Sequence, residues 1–304
     1  GRSKETLRWP PPLTPTCVNP MFNIKERTTD KCAVRVYHSV EHALRVAVNG
    51  NAWTCKRSSR DGDSGWAGAS WTEALELARY GWRDGAKHIR KAFADLPSPT
   101  LSAGNAWRHD YYGERIDMAR FSYGDDACFR TRNGADRGRA KLVRILVPMA
   151  YPCSTSEKSV VNRGAAIISV VDALEMTRRT VEVVCCYAST SSGSRKATQG
   201  FHMNHAVVVK QAGQPFDIDR MSFFLSHNAS LRRFGFALME SCKEAQSSHQ
   251  GNYGYGCDIH PDDQSPNSIA LPELHGGDWS TPAQARETLA SIVRDKGHAL
   301  SFSK

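Results

Sequence analysis

The run KLVRILVPMAY, Lys141 to Tyr151, limits more than any other feature what this chain can fold into. Apart from Arg144, every position from Leu142 to Ala150 is apolar, without the alternation of a half-wet strand. A strand of this kind belongs in a parallel sheet covered on both faces, and a parallel neighbour needs a crossover helix. The chain supplies one: after the loop PCSTSEKS, a helix beginning near Ser159 is predicted, with Ala166, Ile167, Val170, Val171 and Leu174 on one face. TVEVVCCYAS reads as a second strand and HAVVVKQ as a third, joined by the Ser/Gly-rich STSSGSRKATQG, which suits an antiparallel hairpin at a sheet edge. The predicted class is therefore α/β. Residues 141–300 would form a three-layer Rossmann-like sheet, mostly parallel with an antiparallel edge hairpin. A smaller α/β region at 31–140 and a disordered, basic, proline-rich arm at 1–30 would precede it.

The first half also carries readable helix signals. CAVRVY, Cys32 to Tyr37, reads as a strand, and Ser39 caps a short helix with Val40, Leu44, Ala47 and Val48 on one face. In GWAGASWTEALELARYGW, Ser70 and Glu73 form a capping box, Trp71, Ala74, Leu75 and Ala78 make one stripe, and Gly81 ends the helix. Trp71 is then core, while Trp66 and Trp82 are placed to pin this helix to the larger domain. Asp217 or Asp219 is the expected cap of FDIDRMSFFLSH. Leu231, Phe234, Leu238 and Cys242 align along the helix after it, and Thr281, Pro282 and Gln284 open the last one. Residues 101 to 139 give only isolated strand-like pieces such as RIDMARFSYG.

Composition excludes some classes. The chain has 304 residues, 40% of them hydrophobic, enough to fill a sizeable core. It has no apolar run of about 18 residues and no signal-like N-terminus, so a soluble, cytoplasmic protein with no membrane partner is expected. A first residue of Gly suggests a fragment or a trimmed chain. Nine cysteines, two of them adjacent and none in a CxxC pair, predict reduced thiols rather than a disulfide framework or a zinc ribbon. The net charge is +9, with eleven Lys/Arg against four Asp/Glu in residues 1–60 and four against seven in 251–304. A second basic knot, Arg130, Arg132, Arg137, Arg139, Lys141 and Arg144, makes nucleic acid a candidate partner.

The order of elements from Lys141 resembles a von Willebrand factor A-type domain. That resemblance implies a metal site of the pattern Asp-x-Ser-x-Ser after the first strand. Ser154 and Ser156 have the spacing, but Pro152 stands where the Asp would be, so the resemblance implies the fold without a metal. A second resemblance covers roughly residues 32 to 295. GWAGASWTEALELARYGW, GERIDMARFSYGDDACF, RGAAIISVVDALE and FDIDRMSFFLSHNASLRRFGFALME are similar to an uncharacterised domain family of bacteriophages and mobile elements, which implies a bacterial cytoplasm and no particular activity.

Candidate chemistry is sparse. HSVEH, His38 to His42, has the spacing of a zinc peptidase pair, but His38 ends a strand and Ser39 caps a short basic helix, so surface histidines are the better reading. Arg163, behind Ser154, Thr155 and Ser156, could hold an anion at the start of the long helix. The loop lacks the glycines of a nucleotide fingerprint. CDIHPDD gathers Cys257, Asp258, His260, Asp262 and Asp263, which a solvated acidic loop explains; His202 and His205 read as a strand entry. The expectation is a protein without cofactor or metal, most simply a non-enzymatic interaction or scaffold protein with an unknown protein partner. The alternatives are a nucleic-acid-associated protein using the basic N-terminal part, and an enzyme whose strand-end loop at Ser154–Ser156 meets Asp258, His260 or Asp278.

Overall fold

A computed structural model describes residues 24–50, 58–94, 99–100, 107–111, 115–132, 142–176, 179–244, 252–265, 268–275, 277–295 and 301–302. The strands are β1 (Arg27–Thr28), β2 (Cys32–Tyr37), β3 (Pro99–Thr100), β4 (Trp107–Asp110), β5 (Arg115–Ile116), β6 (Phe129–Arg132), β7 (Leu142–Pro148), β8 (Thr180–Thr190), β9 (His202–Lys210), β10 (Tyr255–Gly256), β11 (Ser268–Ala270) and β12 (Ser301–Phe302). The helices are α1 (Val40–Asn49), α2 (Ser58–Asp61), α3 (Ser64–Ala67), α4 (Trp71–Tyr80), α5 (Arg83–Ala94), α6 (Met118–Ser122), α7 (Glu157–Met176), α8 (Ile218–Ser226), α9 (Phe236–Glu240) and α10 (Pro282–Asp295), with a π-helix at Ser230–Gly235 between α8 and α9.

The main sheet runs β1-β2-β9-β8-β7-β11, and β10 pairs with β8 beyond the end of β7. β7 is parallel to β8 and to β11, as its unbroken apolar run requires, and α7 is the crossover from β7 to β8. β8 and β9 form the antiparallel hairpin. It lies inside the sheet rather than at its edge, because β2 continues the sheet beyond β9 in parallel and β1 beyond that. The sheet therefore crosses the boundary expected at residue 140, since the strand that opens the N-terminal region pairs along its whole length with β9.

Alternation divides the sheet's side chains between two layers. Val143, Ile145, Val147, Val183, Cys185, Tyr187, Val207 and Val209 join α1, α4, α7, α8, α9 and α10 in the large core. Val34, Val36, Leu146, Val184, Cys186, Ala206 and Val208 form a smaller cluster on the opposite face with Ile24 and Ile259. Among the described residues α1, α4, α7, α8, α9 and α10 share one face, and the opposite layer is irregular chain with a short 3-10 turn at Pro261–Asp263. No described helix is long and apolar enough to cross a membrane.

The tryptophan-rich stretch folds as its caps direct. Ser70 and Glu73 form the capping box of α4, and Gly81 leaves it at φ +85°, where a β-carbon would lie 2.5 Å from the Asp219 carbonyl carbon. Trp82 meets His227 edge-on at 4.7 Å, and Trp66 lies 6.1 Å from Phe236 beneath the Arg232 guanidinium at 4.3 Å. Both tryptophans thus bind this corner to the segment from α8 to α9. Trp71 is half-buried, with Arg60 over its ring at 5.4 Å.

Candidate functional site

β7, β8 and β11 point the same way, so their carboxyl ends, the start of β9 and the turn into α7 gather at one end of the sheet, where ligands of open α/β sheets sit. The serine loop is there: Ser156 caps α7 by accepting from the Ser159 amide at 3.2 Å, Ser154 is exposed, and Thr155 is half-buried. Arg163 is not at its surface. It is 3% exposed and donates to the carbonyls of Pro148 at 2.8 Å and Pro272 at 3.0 Å, tying the ends of β7 and β11 together with its guanidinium 5.6 Å from the Trp279 ring. Burial pulls its pKa down to about 10, short of neutralising it. Ser154, Thr155 and Ser156 are thus near Arg163 in sequence but do not share a pocket with its charge.

A cleft of about 220 Å³ opens beside this tie, lined by Arg195, Asp258, Glu273, His275, Asp278 and Trp279 among others. Two bonds through Asp258 assemble it: its amide donates to the Arg195 carbonyl at 3.0 Å, and its carboxylate Oδ1 accepts from the Glu273 amide at 3.0 Å. Arg195 Nε stands 3.6 Å from Glu273 Oε2, and its Nη2 contacts His275 Nε2. Burial, aided by Asp258, raises the Glu273 carboxyl to about 7, against the pull of Arg195 and Arg163. A carboxyl that exchanges its proton near neutrality beside a carboxylate and a guanidinium is suited to acid–base work or to binding a charged group. Of the residues singled out in sequence, Asp258 and Asp278 line this cleft and Ser154–Ser156 do not. Arg195, Glu273 and His275 escaped the reading. The available signal was ELH two residues past a short apolar strand, facing a Ser/Gly link that carries one exposed arginine.

CDIHPDD is split by the fold. Asp258 enters the cleft, while Cys257 and Asp263 turn to the sheet face opposite the α-helices and meet His202 and Asn204 of β9. Cys257 Sγ lies 3.8 Å from His202 Nδ1, and His202 Nε2 3.6 Å from Asp263 Oδ2. Asp263 also accepts from Asn204 at 2.9 Å and pairs with Arg27 at 2.7 Å. Burial opposes ionisation of Asp263, but His202, Asn204 and Arg27 together hold its carboxyl below the usual range. The order Cys, His, Asp is that of a nucleophile set, yet Cys257 is fully buried, and burial with the nearby carboxylates pushes its thiol up to about 12. Iodoacetamide at pH 8 is expected to leave Cys257 unmodified in the folded protein while exposed Cys153 reacts, as peptide mass mapping would show; native labelling of Cys257 would mean that this face opens. On the other face, His205 accepts or donates one bond with Tyr37 Oη at 3.0 Å, and burial lowers its imidazole to about 3, so it stays neutral. His38 is exposed at the end of β2, and His42 lies in the first turn of α1 behind its Ser39 cap.

Of the basic knot, Arg130 and Arg132 are in β6, and Arg137, Arg139 and Lys141 lie outside the described residues. β6 is the middle strand of a small antiparallel sheet, β4-β6-β5, in which Arg130 is registered against His109 on one side and Arg115 on the other. Around it Tyr111, Ile116, Met118, Phe121 and Tyr123 are 49–90% exposed.

No curated protein and no solved structure matches the chain. A family model does match, from residue 19 to residue 295, and so takes in the main sheet, its helix layer, the cleft and the small sheet together. On that extent the chain belongs to the family described as a domain of unknown function, DUF7192.

Proposed function

We propose that this chain is a non-enzymatic interaction protein that presents the small sheet at residues 107–132 to a protein partner, in the bacteriophage or mobile-element setting that its sequence segments suggest. The observation that carries the reading is the density of exposed apolar side chains: of eight large ones among the described residues, five fall between Tyr111 and Tyr123. The unit holds its shape through polar ties, His109 to Asp117 at 3.0 Å and Arg120 to Asp125 at 2.9 Å, which leaves those apolar groups outward. Isolated exposed apolar residues are ordinary, whereas a contiguous group marks a contact surface. The von Willebrand factor A-like character of residues 141–300 enters the same proposal, supported by β7, the serine-bearing turn, α7 and the parallel β8.

A Phe121→Ser/Tyr123→Ser variant tests it. Both side chains are exposed, so its stability should stay within about 0.5 kcal/mol of the parent. Protein captured from the host-cell lysate by the immobilised parent should fall at least about tenfold, the loss of a minor hot spot. Equal capture by both would sink the reading. A second reading is contact with nucleic acid through the basic knot, of which β6 carries Arg130 and Arg132. Titration with a labelled oligonucleotide separates the two. Binding at low salt that weakens steeply as salt is added would put nucleic acid in the partner's place.

A further inference from the structure

The cleft at the carboxyl ends of β7, β8 and β11 holds more acceptors than its own donors serve. Asp258, Glu273 and Asp278 bring three carboxyl groups to its lining, against Arg195 and His275. Glu273 is 6% exposed, and its Oε2 is buried with no hydrogen-bond partner among the described residues. The charge paired with it, Arg195 Nε at 3.6 Å, is beyond hydrogen-bond length. Glu273 Oε1 is confined on another side: a β-carbon on Gly256 would stand 2.8 Å from it. A buried carboxylate oxygen left without a donor is costly, so the arrangement asks for one. The guanidinium seated here comes from the Ser/Gly link between β8 and β9, is itself 53% exposed, and reaches Glu273 only at ion-pair distance. It marks the chemistry the cleft accepts, and its holds there are this ion pair and the Nη2 contact with His275, which an entering cation would replace. No three His, Cys, Asp or Glu groups among the described residues converge to hold a metal ion. A volume of about 220 Å³ suits a small group rather than a whole nucleotide.

We propose that this cleft binds a guanidinium or primary ammonium group, the end of an arginine or lysine side chain or a free small amine, by displacing Arg195 from Glu273. The site is separate from the 107–132 surface, and its failure would leave that surface's role untouched.

The pH dependence follows from the groups around Glu273: Asp258 and the adjoining Cys257, Arg163 from α7, Arg195 from the link, and His275 and Asp278 at the rim. A bound cation favours the ionised carboxyl, so binding releases a proton below about pH 7 and strengthens as pH rises through it. Between pH 8 and pH 6 the affinity should fall by about tenfold, the weight of one pH unit below the midpoint.

Isothermal titration of the full chain tests this with two probes that stay charged throughout, methylguanidinium and the blocked peptide acetyl-Gly-Arg-Gly-amide. Both probes, or the peptide alone, should bind with that pH dependence; the tighter of the two identifies a small-molecule or a side-chain source. Glu273→Gln should remove the pH dependence. Arg195→Ala, which keeps the backbone bond to Asp258, should tighten binding by up to about fivefold, the upper worth of a half-exposed ion pair, and this variant keeps the test open if Glu273→Gln does not fold. Absence of binding by both probes, an unchanged pH dependence in Glu273→Gln, or weaker binding in Arg195→Ala would each overturn the proposal.

Discussion

Replacing Arg233 by Met should lower the free energy of unfolding by about 3–5 kcal/mol, because several buried main-chain acceptors lose their donor at about 1–3 kcal/mol each. Arg233 is 1% exposed, and its fork is spent on main chain: Nε donates to the Ala69 carbonyl at 2.9 Å, Nη1 to Ser58 and Ser59 at 3.0 and 3.2 Å, and Nη2 to Gly62 at 2.7 Å and Ser64 Oγ at 3.2 Å. These acceptors belong to the segment from α2 to the cap of α4, which has little apolar side chain of its own to bury. Glu240 holds the same segment from the opposite side, accepting from the Ser59 amide at 3.1 Å, Ser59 Oγ at 2.5 Å and Tyr253 Oη at 2.6 Å. Each carbonyl orphaned by Arg233→Met would cost about 1–3 kcal/mol if it stayed buried. Partial opening of residues 58–70 to water limits the sum. Urea unfolding at pH 7 gives the loss, and limited proteolysis should cut first within 58–70. Arg233→Lys should recover less than half, because an ammonium cannot span five acceptors with the guanidinium's planar fork. A loss under about 1 kcal/mol for the Met variant would show that this segment holds itself.

Gly164→Ala should cost about 3 kcal/mol, near the upper end for overpacking a well-filled core. A β-carbon at 164 would stand 2.0 Å from Ser226 Oγ and 2.5 Å from the Leu225 carbonyl oxygen, so the methyl has no room without parting α7 from α8. Adding Ser226→Ala removes only the side-chain clash. The double variant should therefore regain less than half of the loss, since the carbonyl belongs to main chain and cannot rotate away. Thermal unfolding of the two variants decides it: full recovery would place the whole strain on the serine hydroxyl.

What could be read in advance was whatever neighbouring residues decide among themselves. Ser70 with Glu73, Asp217, and Thr281 with Gln284 cap their helices as their spacing indicates, because each cap is a contact over three residues. β7 announced its burial by lacking polar alternation, and the link at 191–200 announced the hairpin. Pairing of β2 with β9 joins residues about 170 apart and carries no local mark beyond a pair of ordinary strands. The cleft was hidden for the same reason: Arg195, Asp258 and Glu273 come from three separate segments, joined by one main-chain bond and one from the Glu273 amide to the Asp258 carboxylate, contacts that no local spacing encodes. Arg163 misled because its place at the start of a helix is that of an anion ligand. Only the fold shows that two carbonyls already occupy it.

The π-helix at Ser230–Gly235 has a consequence for how this family can vary in length. Its i→i+5 spacing accommodates one residue more than an α-helical path over the same ground. Losing one residue there would restore the ordinary winding over the same ground, leaving the helix downstream in register but re-aiming the side chains within the turn. Arg232 and Arg233, which lie inside it, would no longer face Trp66 and the 58–64 carbonyls together. Gains and losses of residues should thus accumulate in the connections, while the six positions from 230 to 235 keep their number even where their identities drift.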